Sequence, residues 1–110
     1  MLPAAHRLTG AEAFRSAVRS GRRAGSATLV VHLATGDAPV PRVGFVVSKA
    51  VGDAVTRNRV QRRLRHLARE HLASLPGSAV LVVRALPPAA AASYAELGAD
   101  LDRCLGRVSA

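Results

Sequence analysis

Three apolar, β-branched runs alternate along the chain with three amphipathic stretches. "ATLVVHLAT" and "RVGFVVS" are separated by "GDAPVP", whose glycine and prolines favour a turn, and they predict two neighbouring strands. "SAVLVVRA", held between "PG" and "PP", is apolar almost throughout, the pattern of a central strand buried on both faces. The "AGSA" approach to the first run leaves open a break into two short strands.

The polar positions place the helices. "TGAEAFRSAVRSG" has Thr9 followed three residues later by Glu12, a capping-box spacing, and predicts a short helix from about Gly10 to Ser20. Phe14, Ala17 and Val18 then share its inner face, Arg15, Arg19, Arg22 and Arg23 stay outside, and Gly21 stops it in the left-handed conformation. "SYAELGADLDRCLGRV" repeats the box with Ser93 and Glu96, and turns Tyr94, Leu97, Leu101, Cys104, Leu105 and Val108 inward.

The middle stretch, "AVTRNRVQRRLRHLAR", is the unusual one. Steps of about 100° from Val60 put Leu64, Leu67, Ala68, His71, Leu72 and Leu75 on one side, facing the sheet. Asn58, Arg59, Arg62, Arg63, Arg65, His66 and Arg69 fall opposite, while Arg57 projects nearer the apolar side. No acid stands between Asp53 and Glu70, so neighbouring arginines repel, and several sit in the first half of the helix, where the macrodipole disfavours cations. A solvated face needs charge but not one sign of charge; phosphate binding accounts for the excess.

The elements predict an α+β fold of one domain over 1–110. It is a two-layer α/β sandwich in the order α-β-β-(β)-α-β-α, with the middle helix crossing between strands at about 42–48 and 79–85. The 49% hydrophobic content is enough for a core, and with two Phe, one Tyr and no Trp that core is aliphatic. A net charge of +9, from 16 basic and 7 acidic residues, points to a polyanionic partner, nucleic acid first. Anionic membranes and acidic proteins also attract basic helices, but the apolar face here lacks aromatics and is needed to cover the sheet.

Cys104 is alone, so no internal disulfide forms, and it reads as a small core residue. "MLPAAHRL" lacks the apolar core of a signal segment, and the apolar runs are too short to span a bilayer, so the expected location is cytoplasmic. His6, His32, His66 and His71 are scattered, and no nucleophile arrangement, carboxylate pair or metal-ligand spacing stands out; catalytic and metal residues are expected to be none.

"GFVVSKAVGDAVTRNRVQRRLRHLAR" closely resembles the signature of the bacterial ribonuclease P protein subunit, a strand that runs through an "SKKxGxAVxRNR" string into a long helix. The resemblance covers nearly the whole chain, with "RLTGAEAFRSAVRSGRR" similar to the family's opening and "AVLVVRA" to its late strand ending in Arg. It implies a left-handed βαβ crossover. It also implies a protein that works with a catalytic RNA to remove the 5′ leader of precursor tRNA, the RNA holding Mg²⁺ and carrying out hydrolysis. The partners would be that RNA, with one protein monomer per RNA, and the precursor tRNA.

Carried over by position, the resemblance implies that Arg57, Asn58, Arg59, Arg62, Arg63, Arg65 and Arg69 bind RNA. It implies too that Phe14, His32, Ser48, Lys49 and Arg84 belong to a leader cleft between the first helix and the sheet. Val18, Ala50, Gln61 and His66 depart from the family's usual residues, which implies a weaker grip on the leader. A structural RNA-binding protein of ribosomal type would share the charge and fold without a leader cleft. An autonomous nuclease would need a catalytic constellation that the sequence does not offer.

Overall fold

The structure, a computed structural model, describes residues 2–109. Its elements are α1 (Ala11–Ser20), β1 (Arg22–Gly25), β2 (Leu29–Thr35), β3 (Arg42–Val46), α2 (Ala54–Arg69), β4 (Ala79–Ala85) and α3 (Tyr94–Ser109), with single 3-10 turns at Ala4–His6, Leu72–Ser74 and Pro87–Ala90. The run left open in the sequence does break: Ser26 to Thr28 turn the chain between β1 and β2, and the Ser26 hydroxyl accepts from the Leu29 amide at 3.1 Å. The arginine helix also ends earlier than the apolar spacing suggests, leaving Leu72 in a separate turn.

The four strands lie in the order β1-β2-β4-β3. β2 is antiparallel to both β1 and β4, while β3 is parallel to β4, so α2 serves as the crossover that parallel pairing requires. β2 and β3, expected to be neighbours, are therefore separated by β4. Burial explains the insertion: Leu81, Val82 and Val83 are fully buried, and only a strand flanked on both edges and covered on both faces hides consecutive apolar side chains.

Strand alternation then divides the interior. Leu29, Val31, Val43, Leu81 and Val83 join Val60, Leu64, Leu67, Leu97, Leu101 and Cys104 in the main core, between the sheet and the α2–α3 pair. On the opposite face Val82 packs with Leu8 and Ala17, and Phe14, Val46 and Val80 lie beside them, so α1 covers only part of that face. The uncovered part becomes the groove described below.

The caps differ between helices. The Ser93–Glu96 box forms as expected, with the Glu96 amide donating to Ser93 Oγ at 3.0 Å and the Ser93 amide to Glu96 Oε1 at 2.9 Å. The Thr9–Glu12 box does not, because Gly10 occupies the N-cap; Glu12 instead pairs with Arg15 at 3.0 Å and Arg19 at 3.7 Å. Gly21 is extended rather than left-handed, and what the site needs is the absence of a side chain, since a Cβ would overlap the Ala17 carbonyl oxygen and press on that of Leu33.

Two side chains expected inside are outside: Val18 is 44% exposed, because α1 leaves its flank open, and Tyr94 is 43% exposed at the start of α3. Asp100 takes the opposite course and is buried on the α3 face. It accepts the Thr28 hydroxyl at 2.5 Å and pairs with Arg103; the Thr28 bond, reinforced by Arg103, holds its carboxyl below the usual range. His71, on the α2 side, reaches across to Asp102 of α3 at 2.7 Å.

Candidate nucleic-acid interface

α2 is built to present charge outward. Asp53 caps its N-terminus, its Oδ1 accepting from the Thr56 amide at 2.9 Å, and this bond lowers the Asp53 pKa. The carboxylate also faces the positive end of the helix dipole, easing the crowding of arginines that follows. Val60, Leu64, Leu67 and Ala68 are buried, and Arg62 and Arg69 stand in solvent on the outer face. Asn58, Gln61, Arg62, Arg65 and His66 line a shallow concavity there. Among the described residues, none of the α2 arginines forms a salt bridge.

The arginines do not form one stripe. Arg59 Nη2 donates to the Ala90 carbonyl at 3.0 Å and Arg63 Nη1 to the Ala92 carbonyl at 3.2 Å. These two, one turn apart, lie on the flank beside the segment leading to α3 and brace it, though each guanidinium keeps donors free. Arg57 is half-buried, and its Nε, shut off from solvent, has no partner among the described residues. The outermost crown is therefore Asn58, Arg62, His66 and Arg69, with Arg65 turned toward β3.

The second surface lies where α1 leaves the sheet uncovered. Phe14, Arg15, Val18 and Arg19 of α1 face Val46 of β3 and Arg84 of β4 across an open groove. Val46 and Arg84 are direct register partners and so project to the same face. Strand alternation could have added Val46 to the expected groove residues, and α1 periodicity could have added Arg15 and Arg19. Ser48 and Lys49 are exposed in the turn just after β3, at the end of the sheet where Arg84 lies, and are not part of the groove wall.

His32 is in place but not at the surface. It is 6% exposed on the same sheet face, opposite Arg23 on one side and Val82 on the other. Its Nδ1 has no partner among the described residues. Burial holds its pKa below the ordinary value, and the nearby Arg23 and Arg84 push in the same direction. The unfolded chain therefore takes up a proton that the folded chain resists. His32 leaves stability intact above its unfolded pKa of about 6.5 and lowers it as pH falls below that value. Urea unfolding across pH 7.5 to 5 checks this: His32→Phe is expected to lose less stability over that interval than the parent, and equal slopes would exclude His32 as the source.

Among the described residues, no three His, Cys, Asp or Glu side chains converge for a metal, and no helix is long and apolar enough to cross a membrane.

The family model for Ribonuclease P matches residues 2–109. A ribonuclease P protein component of a Nocardioides species is 71% identical, covering 100% of this chain and 97% of the relative. That of Streptomyces griseus is 55% identical, over 98% and 95%. The Staphylococcus aureus RNase P protein has the same fold at 24% identity, with a TM-score of 0.81 over 92% of this chain and 93% of the other.

Proposed function

The chain belongs to the ribonuclease P protein family, and we propose that it docks through α2 on the catalytic RNA and holds the 5′ leader of precursor tRNA in the groove beside α1. The observation that carries the docking half is a helix with its apolar face buried and, among the described residues, no salt bridge from any of its arginines. Arg62, Arg65 and Arg69 bind phosphates as planar forks, Asn58 donates and accepts toward a base or ribose, and Arg57, Arg59 and Arg63 add charge from the flanks.

The leader half rests on Phe14 and Arg84 facing one groove. A ring stacks on any base, so leaders of differing sequence are accepted, while Arg84, with Lys49 and Ser48 farther along, follows the phosphates. His32 supports the groove floor from within. The RNA carries out the hydrolysis and its phosphates hold Mg²⁺ as hard oxygen ligands. The protein neutralises phosphate repulsion, so that RNA, substrate and Mg²⁺ associate at lower ionic strength. The complex contains one protein monomer per RNA, in the cytoplasm.

The test is precursor-tRNA cleavage by a bacterial ribonuclease P RNA at low Mg²⁺, with and without this protein. Stimulation by about tenfold or more, giving the mature 5′ end, is the expected result. Tight RNA binding without stimulation would instead identify a structural RNA-binding protein.

A further inference from the structure

Gln61 and Arg65 belong to two depressions at once. They line the α2 concavity, and they also form one wall of a groove on the α2 flank whose other wall is Arg7 and Thr9 and whose floor is Phe14 against Gly44. Phe14 in turn lines the groove that reaches Arg84. Each depression thus shares lining residues with the next, and the three follow one another around the molecule. The path they trace starts on α2, rounds the edge strand β3 and arrives on the opposite face of the sheet.

The middle of the path is equipped for a nucleotide. Arg7 Nε donates to the Leu2 carbonyl at 3.1 Å, which orients the guanidinium and leaves its terminal donors free. Among the described residues, neither Arg7 nor Arg65 forms a salt bridge. The Thr9 hydroxyl and Gln61 amide supply both donors and acceptors. Phe14 can lie against the strand because position 44 has no side chain: a Cβ there would overlap the Phe14 ring and also lie 3.1 Å from Leu8 Cβ. The space is about 260 Å³, just below the roughly 300–1,000 Å³ of pockets for drug-sized molecules, and takes one planar group rather than a duplex.

We infer that this groove is a nucleotide subsite for the single-stranded leader, with a base on Phe14, its edge toward Thr9 and Gln61, and its phosphate between Arg7 and Arg65. The inference rests on the leader-binding reading above and extends it around β3. The two RNA surfaces are then one track, and the leader is the strand that passes from the catalytic RNA at α2 to Arg84.

The test uses holoenzyme reconstituted with this chain and precursor tRNAs carrying a single abasic nucleotide at each leader position in turn. The parent is expected to show KM raised about fivefold to tenfold at two or more positions, with kcat unchanged. Arg7→Ala and Thr9→Glu should each raise KM for the intact substrate and abolish the penalty at one position, while Arg84→Ala abolishes it at another, farther from the cleavage site. Thr9 is exposed and, among the described residues, its side chain makes no hydrogen bond, so Thr9→Glu keeps the test open if Arg7→Ala disturbs the N-terminal segment. Penalties removed by Arg84→Ala but untouched by either groove variant overturn the subsite and leave the leader reading standing. No abasic penalty anywhere overturns both. Weakened assembly with the catalytic RNA and unchanged abasic penalties would assign the groove to that RNA and overturn the inference.

Discussion

Replacing Arg62, Arg65 and Arg69 together with alanine is expected to weaken assembly with ribonuclease P RNA by about 10²- to 10³-fold near 0.1 M monovalent salt, and to reduce the slope of log K against log salt by about three units. All three are free of salt bridges among the described residues, and their removal takes nothing from the main core. Affinity should therefore fall while the unfolding midpoint holds or rises, because like-charge repulsion along α2 is relieved. Arg59→Ala and Arg63→Ala should behave differently. Each also loses a hydrogen bond to the segment before α3, so part of its effect appears as lost stability rather than a changed salt slope. Filter binding or calorimetry over a salt series measures both quantities, and a slope unchanged in the triple variant would move the docking surface off α2.

Leu64→Ala is expected to lower folding stability by about 3 kcal/mol and the thermal midpoint by roughly 10 °C or more. Leu64 is fully buried in the core between α2 and the sheet, one turn from Val60 and one from Ala68, so truncation leaves a cavity directly beneath the charged face. The arginines themselves are untouched. RNA that binds only the folded chain should restore about 2.7 kcal/mol at a free concentration near 100 times Kd, so cleavage with saturating RNA survives while the free protein melts early. Thermal melts with and without RNA check the pair. Loss of activity at saturating RNA, with the folded fraction recovered, would mean that the backbone of α2 must be rigid for docking.

The arginine helix was legible because its two faces are separated by a period that belongs to the helix alone. Val60, Leu64, Leu67 and Ala68 turned inward as their spacing requires, and Arg57 turned toward the apolar side as counted. The family signature carried the identity for a related reason: it is a local string. Where the reading failed, the missing information was what lay opposite. Periodicity put Arg59 and Arg63 outside, but two carbonyls near position 91 decide where their guanidiniums rest. Val18 was assigned inward for its apolarity, yet α1 covers only part of the sheet.

Chain order suggested that β2 and β3 pair, since a short loop joins them; β4 displaced that pairing because its consecutive apolar residues need cover on every side. Asp100 shows the same limit from the polar side. An acid on an apolar helix face reads as an anomaly until Thr28, 72 residues away, donates to it. Gly44 had no reading at all before Phe14 came to rest on it. The amino-acid pattern alone established the helices, the apolar strands, the sorted charge and the family, because each depends on residues within a few turns of one another. The strand order, the buried His32, the bracing arginines and the path around β3 were decided only by folding, because they depend on which distant surfaces compete for the same apolar cover and the same hydrogen-bond donors.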